Sequence, residues 1–207
     1  MRKYILLWIL FYSTFSFAQK TESLRLTKKE ITQKELGTLS DFPIYKAFEC
    51  SDKSGVYELL FCENQKTITQ KDTLNTKIQA IYVHNDHGSF LEKWRINDLL
   101  EDSDPKETNI WFWTKYSSTR DLDGDGNIDP VIVYGTKTEY NEIRRIKIIT
   151  VYQNKKYAIR AVECDLDYCR SFKKDSTWNL LPLKIKTYLN SLVERLRKEQ
   201  NLLLKDG

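Results

Sequence analysis

The chain has 207 residues, with 33 Lys and Arg against 29 Asp and Glu and a formal net charge of +4. Without Arg2 and Lys3, which belong to the leader described next, the charge falls to +2. That leaves no basic excess of the kind that nucleic acid or an anionic membrane attracts. The length suits one domain able to bury a sizeable core.

Taken in chain order, Arg2 and Lys3 precede an almost wholly apolar run from Ile5 to Phe17. Ser16-Phe17-Ala18 then offers small residues at the two positions a signal peptidase reads. The pattern predicts a signal peptide over residues 1–18, too short for a spanning helix. It implies export to the periplasm, the cell surface or the medium, with no membrane span after cleavage. Residues 19–40 are polar and Lys/Glu-rich, with weakly spaced Leu24, Leu26, Ile31, Leu36 and Leu39, and read as an N-terminal extension.

Residues 41–207 read as a single β-rich domain. Strands are predicted at Val56–Phe61, Lys77–His84 and Ser89–Ile96, the last two joined by the turn Asn85-Asp-His-Gly88. Further strands are predicted at Asn109–Tyr116, Pro130–Gly135, Arg145–Tyr152 and Lys156–Val162, the last pair through Gln153-Asn-Lys155. From Pro182 the period changes: Ile185, Tyr188, Leu189, Leu192, Val193 and Leu196 recur at three and four, predicting an amphipathic helix over 182–203. The expected class is α+β, a curved antiparallel sheet with this helix packed on it.

Four cysteines, Cys50, Cys62, Cys164 and Cys169, are an even number in a chain read as exported, and point to disulfides. Three pairings are open, and so are four reduced thiols. Local closure favours Cys50–Cys62 across a hairpin and Cys164–Cys169 around a short polar loop. The spacings match no structural zinc site.

The segment with the most legible chemistry is Asp121-Leu-Asp-Gly-Asp-Gly-Asn-Ile-Asp129-Pro130. Counted from Asp121, carboxylates fall at positions one, three, five and nine (Asp121, Asp123, Asp125, Asp129), with Asn127 at seven and Gly126 at the sharp turn. Four like charges in nine residues repel unless a cation neutralises them, and alternate oxygen ligands are how a backbone wraps calcium. Position twelve is Ile132, where an EF-hand needs a bidentate Glu, and a strand follows where that motif has a helix, so an EF-hand is rejected. The pattern instead resembles the calcium loop of FG-GAP/VCBS repeats. That resemblance implies side-chain ligation by Asp121, Asp123, Asp125 and Asp129 and carbonyl ligation by Asn127. Only one good copy is present, against the several blades of a propeller.

The segment Asn109–Tyr116 is the second candidate site. Alternation puts Trp111 and Trp113 on one face and Phe112, Thr114 and Tyr116 on the other. One face must be core; the other could present Trp111, Trp113 or Tyr116 to a sugar ring. His84 and His87 flank Asp86 in a turn and read as plain turn residues. There is no Gly-x-Ser-x-Gly elbow and no Gly-rich phosphate loop, so no catalytic residue is assigned.

Three blocks, Asn109–Tyr116, Asp121–Thr136 and Arg145–Ile149, also resemble a small family of secreted bacterial proteins labelled as taking part in surface polysaccharide biosynthesis. The resemblance implies an envelope role without defining a reaction. The expected function is an exported, calcium-binding accessory protein, leaning to non-enzymatic, whose partner is a polysaccharide or an envelope protein. A periplasmic glycan-acting enzyme and an inhibitor-like protein-binding module are the alternatives.

Overall fold

The computed structural model describes residues 21–68, 73–102, 104–140 and 143–206. The predicted leader, residues 1–18, lies outside them. The strands are β1 (Glu22–Arg25), β2 (Ile44–Asp52), β3 (Gly55–Glu63), β4 (Thr67–Ile68), β5 (Thr73–Leu74), β6 (Lys77–Asp86) and β7 (Ser89–Leu99). They continue with β8 (Glu107–Phe112), β9 (Ser118–Arg120), β10 (Asp129–Thr138), β11 (Arg145–Tyr152), β12 (Lys155–Val162) and β13 (Ser171–Lys174). Among the described residues the α-helices are α1 (Lys28–Gln33) and α2 (Leu183–Gln200). No helix among the described residues is long and apolar enough to cross a membrane.

The α+β class holds, but the strands divide between two principal antiparallel sheets where the sequence suggested one. The first has the order β1-β2-β3-β6-β7; the second runs β13-β12-β11-β10-β8, with β9 also paired to β10. The reason is visible in β10 and β11, which are apolar on both faces. Ile132, Tyr134, Ile149 and Val151 meet Leu59, Phe61, Ala80 and Ile96 of the first sheet. Val131, Val133, Ile146 and Ile148 meet Ile185, Leu189, Leu192 and Leu196 of α2. A strand with two buried faces needs a layer on each side.

The N-terminal segment is a layer of the fold and no loose extension. β1 pairs with β2, and a capping box between Thr27 and Glu30 starts α1. Leu26 and Leu36 then cover Ala47, Leu60, Ile81 and Val83 on the outer face of the first sheet. Lys34 fixes this layer by ion pairs to Glu49 at 2.5 Å and to the buried Glu58 at 2.8 Å.

Helix α2 ends at Gln200, short of residue 203, because Asn201 takes a left-handed conformation (φ 52°). The chain turns back, so that Leu202 and Leu204 join the core beneath the helix. Arg197 donates to the carbonyls of Leu203 and Leu204, and Glu163 accepts the Leu204 amide at 2.6 Å.

The disulfide Cys164–Cys169 forms, with Cα atoms 5.8 Å apart. Cys50 and Cys62 are free and buried, contrary to the expected pairing. In the β2–β3 register Cys50 stands opposite Tyr57, whereas Cys62 stands opposite Ile44. Cys50 faces the other sheet and Cys62 the outer layer, so the strand pair separates them by face as well as by register. Burial pushes the Cys50 thiol up to about 12 and the Cys62 thiol to about 11.

A charged network pins the sheets together. Arg145 of β11 donates to Glu107 at 2.9 Å and to Asp98 of β7 at 3.1 Å, while Lys147 reaches Asp98 at 2.6 Å. Burial raises both carboxyls. The Lys147 and Arg145 contacts outweigh it at Asp98, as Arg145 does at Glu107, and hold both below their ordinary values.

Candidate metal centre

β9 and β10 pair antiparallel, with Arg120 opposite Asp129, so residues 121–128 are the connection of a hairpin. Gly124 and Gly126 take φ values of 86° and 87°, a region glycine enters without a Cβ penalty. Aspartate side chains fold the loop on itself. Asp121 accepts the amides of Gly124 at 2.6 Å and Gly126 at 2.8 Å, and Asp123 accepts that of Asp125 at 3.0 Å. The coil this makes turns Asp121, Asp123 and Asp129 inward, and each offers an oxygen within 4.8 Å of the others.

Three of the five predicted ligands therefore converge. Asp125 is outside this group: it accepts the backbone amide and the Nδ2 of Asn127 at 2.8 and 3.1 Å. Asp129 is 3% exposed and accepts the Leu122 amide at 2.9 Å. Burial, and then repulsion from Asp123, Asp125 and Asp121, push its carboxyl up to about 7 against that hydrogen bond. An all-oxygen donor set of this span suits a hard cation, since calcium binds oxygens at roughly 2.3–2.6 Å on opposite sides of the ion.

The loop is also a junction. Asp52, at the end of β2 in the first sheet, accepts the Ile128 amide at 3.0 Å, and the Lys53 amide donates to the Gly126 carbonyl at 3.0 Å. The Lys53 ammonium bonds the Asp125 carbonyl, and Lys184 of α2 bonds the Asp123 carbonyl. Both sheets and the helix thus meet at these eight residues.

A cavity of about 350 Å³ adjoins the loop, lined by Asp125, Asn127 and Asp129 on one side and by Tyr57, Tyr82 and Trp94 on the other. The three rings are stacked on each other at 4.9 and 5.1 Å across β3, β6 and β7. Sequence reasoning missed this ladder, because its members lie on three separate strands.

The aromatic segment is arranged differently from its prediction. β8 ends at Phe112, and residues 113–116 form a turn in which the Tyr116 amide bonds the Trp113 carbonyl at 2.9 Å. Tyr116 consequently leaves the Phe112 face and packs with Trp113 under α2. Trp113 and Tyr116 are 7% and 3% exposed, which removes both from any sugar-stacking surface. Trp111 is half-buried and lines a second cavity of about 400 Å³ with Tyr45, Glu63, Asn75 and Asn109. Glu63 accepts the Phe112 amide at 3.1 Å and Asn75 Nδ2 at 3.0 Å, and burial raises its carboxyl above the ordinary range. One sequence signal pointed here: Glu63 continues the inward row Tyr57, Leu59, Phe61, placing a charge where alternation calls for core.

His84 packs on the Tyr57 ring at the end of β6, and His87 is exposed in the turn that follows. No protein-family model, curated protein or solved structure matches the chain.

Proposed function

We propose that this protein is an exported, calcium-binding accessory protein of the cell envelope, associated with surface polysaccharide, that binds and does not turn over its partner. The observation that carries the calcium half is the convergence of Asp121, Asp123 and Asp129 at the point where both sheets and α2 meet. These three carboxylates would hold the ion, with Asp125 and the Asn127 carbonyl completing the set as the FG-GAP/VCBS resemblance assigns. The ion would cancel their mutual repulsion and stiffen the junction, a structural task. Calcium acidifies its water little, and hydrolytic metal sites use zinc or paired metals.

The Cys164–Cys169 bond supports export, since such bonds persist in oxidising compartments. The half-buried Trp111 and the amide-rich cavity support a polysaccharide partner. Among the described residues Glu63 is the one acid that lines that cavity, whereas glycoside hydrolysis needs two carboxyls flanking one bond, which supports binding over turnover.

Thermal melting in EDTA and in millimolar calcium tests the metal. At a concentration about 100 times Kd, calcium adds about 2.7 kcal/mol, a rise of roughly 5–10 °C for a chain of this size. The double variant Asp121→Asn with Asp123→Asn should show no rise. Superimposable melting curves in EDTA and calcium would remove the assignment.

A further inference from the structure

Both cavities contain aromatic rings, but they spend them differently. Beside the Asp loop, Tyr57, Tyr82 and Trp94 stack on one another, and both Asp52 oxygens are engaged by Ser54 and Ile128. In the second cavity polar groups remain open. Tyr45 is 49% exposed and offers ring surface at the rim, and the half-buried Trp111, whose ring packs on one side against Trp113 at 5.9 Å, also lines the cavity. Asn109 is 4% exposed; its Oδ1 accepts the Asn75 amide at 2.6 Å, while its Nδ2 donates to no described residue. Among the described residues each Glu63 oxygen accepts one hydrogen bond, which leaves it a lone pair toward the cavity. Asn75 touches both Glu63 and Asn109, so the unspent acceptor and the unspent donor are neighbours.

The Asn109 Nδ2 is not among the fully buried unpartnered atoms, so it is open to the cavity, and its natural complement is a ligand atom that accepts from it. A hydroxyl both accepts and donates. Adjacent hydroxyls on one ring can take the Asn109 proton and give one to Glu63, while the ring's C–H face lies on an indole or phenol. A volume of about 400 Å³ falls in the range of pre-formed ligand sites, roughly 300–1,000 Å³.

We infer that this cavity is a binding site for a pyranose sugar residue, with Trp111 and Tyr45 stacking on the ring and Asn109 and Glu63 bonding adjacent hydroxyls. The inference locates the glycan half of the proposed function and is independent of calcium. Lys137 also lines the cavity but takes no part in the assignment.

Saturation-transfer NMR on the full chain tests it, using the methyl pyranosides of glucose, galactose, mannose and N-acetylglucosamine, each with and without EDTA. At least one should bind with Kd on the order of 1 mM, as suits a single sugar residue. Tyr45→Ala, an exposed change that leaves the fold intact, and Trp111→Ala should each weaken binding about tenfold or more. Asn109→Asp, which keeps the bond to Asn75 and removes the free donor, should abolish it. Binding that survives both aromatic substitutions, or no transfer from any of the four sugars, overturns the site. Because the Asp loop is not part of the cavity, loss of the calcium response would leave these results unchanged, and the two readings fail separately.

Discussion

Gly135 shows how little room the second sheet leaves. A β-carbon there would stand 2.7 Å from the Trp113 ring and 2.9 Å from the Arg145 carbonyl oxygen, one of them backbone that cannot swing away. Gly135→Ala should therefore destabilise by about 1–3 kcal/mol, the usual cost of overpacking, seen as a lower denaturation midpoint. The buried charges next to it make a different prediction. Asp98 and Glu107 have folded pKa values below their ordinary 3.8 and 4.5, so the native state binds fewer protons than the unfolded chain. The stability they contribute is complete above those ordinary values and is lost as pH falls through the lower, folded ones. Melting temperature should begin to drop below about pH 5 and go on dropping as pH falls through those lower values. Arg145→Met strands the buried Glu107 and leaves Asp98 to Lys147 alone, and should cost about 3–5 kcal/mol at pH 7. It should also flatten the acid limb in part, since the depression at Glu107 rests chiefly on Arg145, while Asp98 keeps its Lys147 contact. An acid limb of unchanged depth in the variant would show that other groups govern it.

At the scale of elements, what is local in sequence is legible and what depends on a face or a register is not. The spacing of Ile185, Leu189, Leu192 and Leu196 marks α2, and the turns at His87-Gly88 and Gln153-Asn154 mark their hairpins, with positive φ at each of these residues. The Asp loop is legible for the same reason, since its ligands are spaced along nine residues. Tyr116 is misplaced by simple alternation because the strand stops at Phe112 and a turn resets the phase. The second cavity is only hinted at in sequence, by Trp111 and the inward Glu63, because Tyr45, Glu63, Asn75 and Asn109 arrive from four different segments. The Cys50–Cys62 pairing fails because proximity in sequence says nothing about which side of a sheet each thiol faces. A thiol count checks this correction: Ellman's reagent should find no reactive thiol in the native protein and both after denaturation without reductant. Denatured, unreduced protein with no free thiol would restore the bond.

At the scale of the molecule, the order of layers is an N-terminal cover, two sheets and a C-terminal helix, and the Asp loop sits where three of them touch. Asp52 reaches it from the first sheet, β9 and β10 carry it in the second, and Lys184 reaches it from the helix. The loop lies at the start of β10 and the Trp111 cavity reaches Lys137 near the end of that strand, so ion and sugar would occupy separate ends of one core strand. Calcium bound at the loop would stabilise the packing of these layers without touching the glycan. Calorimetric titration of the protein with calcium, after exhaustive treatment with a chelator, addresses this directly. One ion should bind per chain in wild type, with the heat lost in Asp121→Asn/Asp123→Asn and retained in Trp111→Ala. Absence of binding heat in the wild type, together with an unchanged melting temperature, would mean that the loop is a solvated acidic turn and that the junction holds without a metal.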